Sequence, residues 1–358
     1  MRNVKKLLAL ALVFVMLLLF AGCHKKDEIA VTVGDVKFTS AYYMCALINA
    51  DFEAKNKVDE NLSEEESASE VDYYSKKIDG AGYVEWVEKT ALENLKERAA
   101  YKILCDENKL ELDKEKLSEA ETYASYYWSS YGYSAYFEPN GVGQKTYTQY
   151  MKDSYYAERY FEYLYGKDGE KAIASDKVLE TMYGKFVIAN VIDAAYDAEM
   201  TDNDKTDLKT KLENYLKDLK TGKKTFEDVY KEYYEVKEEQ EETTDSKEPQ
   251  PKDKYATVIG AEDTVYENEY YEEISKMAIG EIKLIEKKEK AGLMLVVKQD
   301  IKADPYYTEN LDMASRHLIA DEEFEKNIAE YAKKLKTDVN KYAVGQFKVK
   351  KIIEPSYQ

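Results

Sequence analysis

The chain has 358 residues and carries 71 acidic against 52 basic residues, which gives a formal net charge of −19 at pH 7. So large a negative charge repels phosphate backbones and excludes nucleic acid as a partner. Hydrophobic residues make up 44% of the chain and charged residues 34%, with only 15 Gly and 5 Pro. This composition favours a soluble, largely helical protein that is long enough for two or three domains.

The first 22 residues have the pattern of an export signal. A basic start precedes an apolar run from Leu7 to Phe20, which is too short and wrongly flanked for a transmembrane helix. Ala21-Gly22-Cys23 follows and resembles the bacterial lipobox, although Phe20 stands where Leu is usual. An ordinary signal peptide with a chance cysteine is the alternative. We expect residues 1–22 to be removed and Cys23 to be acylated, which places the protein outside the cytoplasm, anchored to the bacterial cell membrane by lipid.

The mature chain is even more acidic. Removing residues 1–22 removes three basic residues and leaves 49 basic against 71 acidic ones, a net charge of −22. Anionic headgroups repel such a surface, so we expect the lipid at Cys23, and not a basic patch, to hold the protein at the membrane.

Two further cysteines, Cys45 and Cys105, remain after processing. In an oxidising compartment they could form a disulfide. Each lies in a predicted helix, so two buried free thiols are equally compatible with the sequence.

The N-terminal part reads as one hairpin followed by helices. Residues 29–38 alternate like a strand, with Gly34-Asp35 as the turn and Thr39 as the cap of the next helix. A long amphipathic helix follows from Tyr83 to Glu107, with apolar residues at steps of three and four. Residues 131–143 read as a loop, and another helix runs from Thr146 to Tyr165.

Thirteen of the 34 tyrosines fall between residues 121 and 165. Tyrosine offers a large contact area at low entropic cost, so a cluster of this kind can bind extended polypeptide. Ordinary helix packing with the hydroxyl groups in solvent explains the same residues. The candidate substrate-binding residues are Tyr126, Tyr127, Tyr131 and Tyr133.

A compact inner region begins at Gly184–Ile192, a short buried strand, and closes with another strand near Gly292–Val297. Between them we predict a helix over residues 202–220 and a second one that Thr225 caps, with Asp228 completing a capping box. Residues 235–254 are acidic and contain proline, which is typical of a disordered surface loop. After Ile301 we predict a turn at 303–307, a helix over residues 321–337 and a short extended ending.

These segments resemble a known family. Val31–Tyr43 and the block from Ala91 to Leu117 are similar to the opening strand, helix and long helix of PrsA-type foldase lipoproteins and the related chaperone SurA. Leu219–Tyr230 and Ala278–Ile282 resemble segments of the parvulin-type peptidyl-prolyl isomerase domain. The resemblance implies an α+β protein, in which the N- and C-terminal segments form a mostly helical chaperone domain and a parvulin-like α/β domain is inserted.

The resemblance also implies where a catalytic centre would lie. Parvulins have two facing histidines, and the matching positions here hold Asn190 on the first strand and Met294 on the last. The chain has only two histidines, His24 next to the lipidated cysteine and His317 beyond the closing strand, so a two-histidine centre cannot form. Asn190 keeps hydrogen-bonding capacity, which leaves weak isomerase activity open, and Met294 can line an apolar groove. We expect a weak or inactive isomerase.

The sequence gives less support to a metal site or a phosphate-binding site. No Cys-x-x-Cys pair, EF-hand loop or phosphate-binding glycine loop is present in the sequence, so we expect neither a metal nor a cofactor. The glycine signature of the family is reduced here to one candidate, Gly260, and Asp245 lies in the region of the family's acidic partner, although the alignment does not assign it.

The sequence therefore predicts a lipid-anchored foldase that holds unfolded or newly exported polypeptides. Its predicted parts are a lipoprotein signal (1–22), an N-terminal helical chaperone domain (23–183), a parvulin-like domain (184–301) and a C-terminal segment that packs back on the chaperone domain (302–358). The alternatives are an active prolyl isomerase with a divergent site and a lipoprotein that binds a solute or a cell-wall fragment. No oligomeric state is predicted.

Overall fold

The computed structural model describes residues 27–63, 71–236 and 249–354. The predicted signal peptide, Cys23, His24, Asp245 and most of the acidic stretch lie outside these ranges. The described residues divide into two compact units, unit 1 with residues 27–63, 71–164 and 323–354 and unit 2 with residues 165–236 and 249–322. The chain therefore forms the first part of unit 1, then all of unit 2, and then the rest of unit 1. The predicted domain boundaries at 184 and 301 stay predictions.

Both units combine helices with antiparallel strands, so the predicted α+β class is confirmed. The strands are β1 (Ile29–Val33), β2 (Val36–Thr39), β3 (Lys77–Ile78), β4 (Ala81–Gly82), β5 (Phe186–Ala195), β6 (Ala256–Gly260), β7 (Ile282–Glu286), β8 (Gly292–Gln299) and β9 (Thr337–Val339). The helices are α1 (Ser40–Asp59), α2 (Tyr83–Glu107), α3 (Lys114–Ser129), α4 (Tyr133–Phe137), α5 (Gln144–Tyr165), α6 (Ser175–Lys185), α7 (Asp202–Lys220), α8 (Phe226–Tyr233), α9 (Tyr271–Ser275), α10 (Pro305–Asn310), α11 (Asp312–Lys334) and α12 (Lys341–Gly345). Among the described residues, no helix has the length and apolar character that crossing a membrane needs.

Unit 1 begins with the predicted hairpin. Strand β1 pairs with β2 on one side and with β9, from the far end of the chain, on the other. Gly34 adopts φ 61° in the turn, a left-handed conformation that glycine takes without steric cost. Thr39 caps α1 as predicted, since its side chain accepts a hydrogen bond from the backbone N–H of Tyr42 at 3.3 Å.

The core of unit 1 lies between α1 and α2. The predicted apolar stripe of α2 is confirmed, because Val87, Ala91 and Leu95 are each fully buried. A polar contact fixes the two helices at one point, where the Tyr83 hydroxyl donates to the Asp51 carboxylate at 2.9 Å. Asp51 is only 1% exposed, and this hydrogen bond together with the ion pair to Lys55 at 2.9 Å satisfies the buried carboxylate.

Unit 2 is built on a four-stranded antiparallel sheet in the order β6-β5-β8-β7. Helices α7 and α8 connect β5 to β6, and α9 connects β6 to β7. The predicted capping box of α8 is present, with Thr225 and Asp228 each bonded to the other's backbone N–H. One face of the sheet packs against α7 and α8, and the opposite face packs against α9.

Several local predictions are wrong, most of them in the C-terminal part. The predicted turn at 303–307 contains α10, because Pro305 stands at the first helical position and Asp304 caps the helix, an arrangement that starts a helix. The predicted helix over 321–337 begins nine residues earlier, at Asp312. The ending predicted as extended forms α12 and a single helical turn at Val349–Lys351. In the predicted loop at 131–143, residues 133–137 form α4.

Candidate functional site

An exposed group of tyrosines lies at the end of α3 and the start of α4 in unit 1. We call it the aromatic patch, and it consists of Tyr123, Tyr126, Tyr127, Tyr131 and Tyr133. Tyr123, Tyr126 and Tyr131 are 45%, 51% and 58% exposed. Tyr127 and Tyr133 are half-buried beneath them.

The rings of the aromatic patch contact one another around Tyr127. Its ring centroid lies 5.3 Å from that of Tyr131 and 5.6 Å from that of Tyr133. Tyr126 packs edge-on against Tyr131 at 5.3 Å. These spacings fall in the range of favourable aromatic pairs, so each ring limits the motion of its neighbours.

The local sequence explains why the rings meet. Tyr123 and Tyr127 are four residues apart and therefore share one face of α3. Gly132 then adopts φ 71°, which turns the chain back and sets Tyr133 beside Tyr127. The sequence prediction did not include Tyr123, although its spacing from Tyr127 indicates a common helix face.

The aromatic patch continues into the core of unit 1. Tyr133 contacts the rings of Phe137 at 6.0 Å and Tyr147 at 5.9 Å, and both of these residues are buried. Tyr147 in turn contacts Trp128 at 5.6 Å. The patch is thus a firmly supported aromatic surface, and its exposed rings can bury apolar area and offer phenol hydroxyl groups to a bound chain.

Asn190 lies in the interior of unit 2. Its side chain on β5 is fully buried, and Nδ2 donates to the Asp253 carboxylate at 2.9 Å. Its carbonyl oxygen accepts a hydrogen bond from the Gln299 side chain on β8. Asn190 thus connects β5 to β8 and to the segment that leads into β6, and it has no exposed surface with which to contact a peptide.

Met294 lies on the opposite face of the same sheet. The pairing of β5 with β8 sets Asn190 directly across from Val297, and Met294 directly across from Asp193. Residues directly across from each other on paired strands share a face, so Asn190 lies on the same face as Val297. Side chains alternate between the two faces along a strand, and Met294 precedes Val297 by three residues, so Met294 points to the opposite face. Met294 is 3% exposed and belongs to the apolar cluster around α9. The structure does not bring the two residues together.

The two other candidate positions in unit 2, His317 and Gly260, add no catalytic group to the sheet. His317 lies in α11, where its Nδ1 atom is 2.7 Å from a carboxylate oxygen of Asp321. Gly260 ends β6, and a Cβ there would lie 2.8 Å from the backbone carbon of Tyr266, so this position needs glycine for packing reasons. Within the described residues, no three His, Cys, Asp or Glu side chains form a group that could hold a metal ion.

Cys45 and Cys105 are free thiols in the structure, and both are fully buried. Burial raises the pKa of the Cys105 thiol to about 11 and raises that of Cys45 further. Because the thiolate is the reactive form, neither side chain is suited to nucleophilic chemistry in the folded protein.

Comparison with known proteins gives structural matches only. No protein-family model and no curated protein sequence matches the chain. It is similar to the crystal structure of the foldase protein PrsA from Lactococcus lactis, with 12% identity, a TM-score of 0.40 and coverage of 90% of this chain and 99% of that one. It is also similar to the crystal structure of PrsA from Bacillus subtilis, with 15% identity, a TM-score of 0.33 and coverage of 69% of this chain and 83% of that one.

Proposed function

We propose that this chain is a membrane-anchored, extracytoplasmic foldase or chaperone that binds unfolded, newly exported polypeptides. The aromatic patch of unit 1 carries the proposal. Three tyrosines that are 45–58% exposed stand together on a firmly packed aromatic base. Unfolded chains expose apolar and aromatic side chains, for which such a surface has affinity without requiring a particular sequence.

The N-terminal residues support the proposed location. An apolar run with the pattern of an export signal precedes Cys23, and an acylated cysteine would attach the mature chain to the outer side of the cytoplasmic membrane. Exported polypeptides emerge at this membrane in an unfolded state, so an anchored chaperone would meet its clients there.

Unit 2 serves in this proposal as a second contact surface with little or no catalytic role. Prolyl isomerisation needs no covalent step, but it does need groups that reach the twisted amide. Asn190 is fully buried and hydrogen-bonded to Asp253 and Gln299, and Met294 lies on the other face of the sheet. Neither residue presents a polar group to a substrate.

The chaperone activity is tested by the aggregation of an unfolded client protein. Residues 24–358 at equimolar concentration should suppress light scattering during refolding of the client. The variant Tyr126→Ser/Tyr131→Ser removes two exposed rings and should weaken client binding by roughly 30-fold, since an aromatic anchor contributes on the order of 1 kcal/mol.

A matched control replaces two exposed tyrosines elsewhere in unit 1. Tyr74 and Tyr342 are 39% and 74% exposed and lie outside the aromatic patch. The variant Tyr74→Ser/Tyr342→Ser should suppress aggregation as well as the wild type. Suppression lost equally in both double variants, or absent in the wild type, contradicts the proposal.

The isomerase alternative is tested separately by NMR exchange on a proline peptide. We expect no rate enhancement by the wild type. The variant Asn190→His/Met294→His should also be inactive, because the register sets these side chains on opposite faces. Catalysis by the wild type that is lost in Asn190→Ala, while the fold is retained, would instead support the divergent isomerase.

A further inference from the structure

Residues 333–354 have the opposite charge to the rest of the chain. Residues 333–354 contain seven lysines and two acidic residues, a local charge of +5 in a chain of −19. All seven lysine side chains are exposed. Within the parts of the chain that the structure describes, none of the seven forms an ion pair with a carboxylate.

Part of this segment lies beside the first residues of β1. The backbone N–H of Asn340 donates to the Ala30 carbonyl at 2.9 Å, and its side chain donates to the Ile29 carbonyl at 3.2 Å. Lys341 and Tyr342 follow at once and begin α12. Tyr342 is 74% exposed and Ile29 is 37% exposed, so an aromatic ring, an aliphatic side chain and an ammonium group are solvent-accessible at this end.

The proposed anchor would keep this end close to the bilayer. Only five residues lie between Cys23 and Ile29, and the six backbone steps from one Cα atom to the other span at most about 20 Å when fully extended. Whatever conformation the intervening residues adopt, the start of β1 remains within that distance of an acylated Cys23, and the residues bonded to β1 lie beside it.

We propose that the surface formed by Ile29, Lys341 and Tyr342, the basal surface of unit 1, contacts an anionic phospholipid membrane. Lys341 would pair with lipid phosphate, and Tyr342 would place its ring at the level of the headgroups, where an amphipathic side chain is favoured. The inference rests on the proposed lipid anchor and says which end of unit 1 faces the membrane.

Asp27 and Glu28 lie at this end and repel anionic lipid. Glu28 accepts a hydrogen bond from the Asn340 side chain at 3.3 Å, but this neutral partner leaves the carboxylate charge in place, so the contact requires Lys341 and Tyr342 to outweigh the two acidic residues. Lysines beside an edge strand also discourage pairing between chains. That role does not account for the exposed ring of Tyr342, and β9 itself contains no lysine.

The test couples residues 23–358 through the Cys23 thiol to a maleimide lipid in vesicles. Cys45 and Cys105 are fully buried, so Cys23 is the thiol that reacts. The Tyr342→Trp variant, the basal reporter, detects contact through quenching by brominated acyl chains. The Tyr126→Trp variant, the patch reporter, is matched to it, and the buried Trp86 and Trp128 of the wild type give the background.

We expect vesicles that contain phosphatidylglycerol to quench the basal reporter about twofold, and phosphatidylcholine alone to quench it less. The patch reporter should be unaffected by either. Adding Lys341→Glu to the basal reporter should abolish the difference between the two vesicles, whereas adding Lys89→Glu on α2, whose side chain is 69% exposed, should preserve it. Equal quenching of both reporters, or quenching of the basal reporter that does not depend on anionic lipid, overturns the inference.

Chemical coupling bypasses acylation and the aggregation assay uses untethered protein. A failure of the proposed chaperone activity would therefore leave the quenching result unchanged. Absence of native acylation is detected separately, from the mass of the protein isolated from membranes.

Discussion

Asn190 connects three segments of unit 2 with a single side chain. Its amide bridges the Asp253 carboxylate and the Gln299 side chain, and the strand on which it lies is central in the sheet. The same face of β5 carries Ile188 and Ile192, which pack in two separate apolar clusters. Asn190 is therefore a polar junction between two hydrophobic clusters, a role that depends on all its partners being present.

Replacing Asn190 with alanine should destabilise unit 2 by about 1–3 kcal/mol, because Asp253 and Gln299 lose a hydrogen-bond partner in a poorly hydrated site. The free energy is measured from hydrogen exchange of the β5 and β8 amides. Asn203→Ala is the matched control, since Asn203 is exposed on α7, and it should change the free energy by less than about 0.5 kcal/mol. Equal effects of the two substitutions would show that the buried bridge contributes nothing.

At the scale of elements, the correct predictions are those that rest on short sequence patterns. The buried stripe of α2 and the capping box at Thr225 were both readable from residues within one or two helical turns. Strand β5 was recognisable from its apolar run. Each of these patterns depends on residues that are close in sequence, so it can be predicted without knowledge of the fold.

Asn190 and Met294 do not face each other in the structure, and the reason is physical. Alignment to a family supplies a position along each strand, but the face on which a side chain lies depends on the register between strands. Here β5 and β8 pair so that Asn190 opposes Val297. A shift of one residue in this register would move every side chain of a strand to the other face. The residues of either strand taken alone do not predict which register forms.

Strand β8 begins at a residue whose backbone tolerates no side chain. Gly292 has φ 150°, and a Cβ there would lie 2.4 Å from the Ala194 carbonyl oxygen on β5. Gly292→Ala should therefore destabilise unit 2 by about 2–3 kcal/mol, since both the backbone conformation and the close approach of the strands must change.

The control for this substitution is another glycine of unit 2. Gly184 lies in α6, and no heavy atom lies within 4 Å of a Cβ built on it. Gly184→Ala should stabilise the unit by about 0.5–1 kcal/mol through helix propensity. Urea unfolding of both variants gives the comparison, and destabilisation by both would show that the clash at Gly292 is not the cause.

At the scale of the whole molecule, both units bury weakly acidic groups in neutral form. Burial raises the pKa of Tyr43 and Tyr136 in unit 1 to about 12. It does the same for the pKa of Tyr215 and Tyr307 in unit 2. Each of these side chains is at most 8% exposed, so the phenolate form has little access to water in the folded protein.

The sign of the resulting pH dependence follows from proton linkage. In the unfolded chain, cysteine and tyrosine ionise with ordinary pKa values of 9.0 and 10.0, whereas the buried groups keep their protons to higher pH. The unfolded state thus binds fewer protons above pH 9, and stability that is fully present below that pH falls as the pH rises towards 12. The loss should be on the order of 1 kcal/mol for each buried group at pH 10.5.

Urea unfolding at pH 8, 9.5 and 10.5 checks this expectation. Because the chain is also strongly acidic, alkaline pH increases the repulsion among its charges, and added salt separates the two effects. Repulsion between surface charges is screened at high ionic strength, whereas the cost of ionising a buried phenol is not. We therefore expect the loss of stability to persist in high salt, and a stability that stays level from pH 8 to 10.5 would mean that the buried phenols ionise freely in the folded protein.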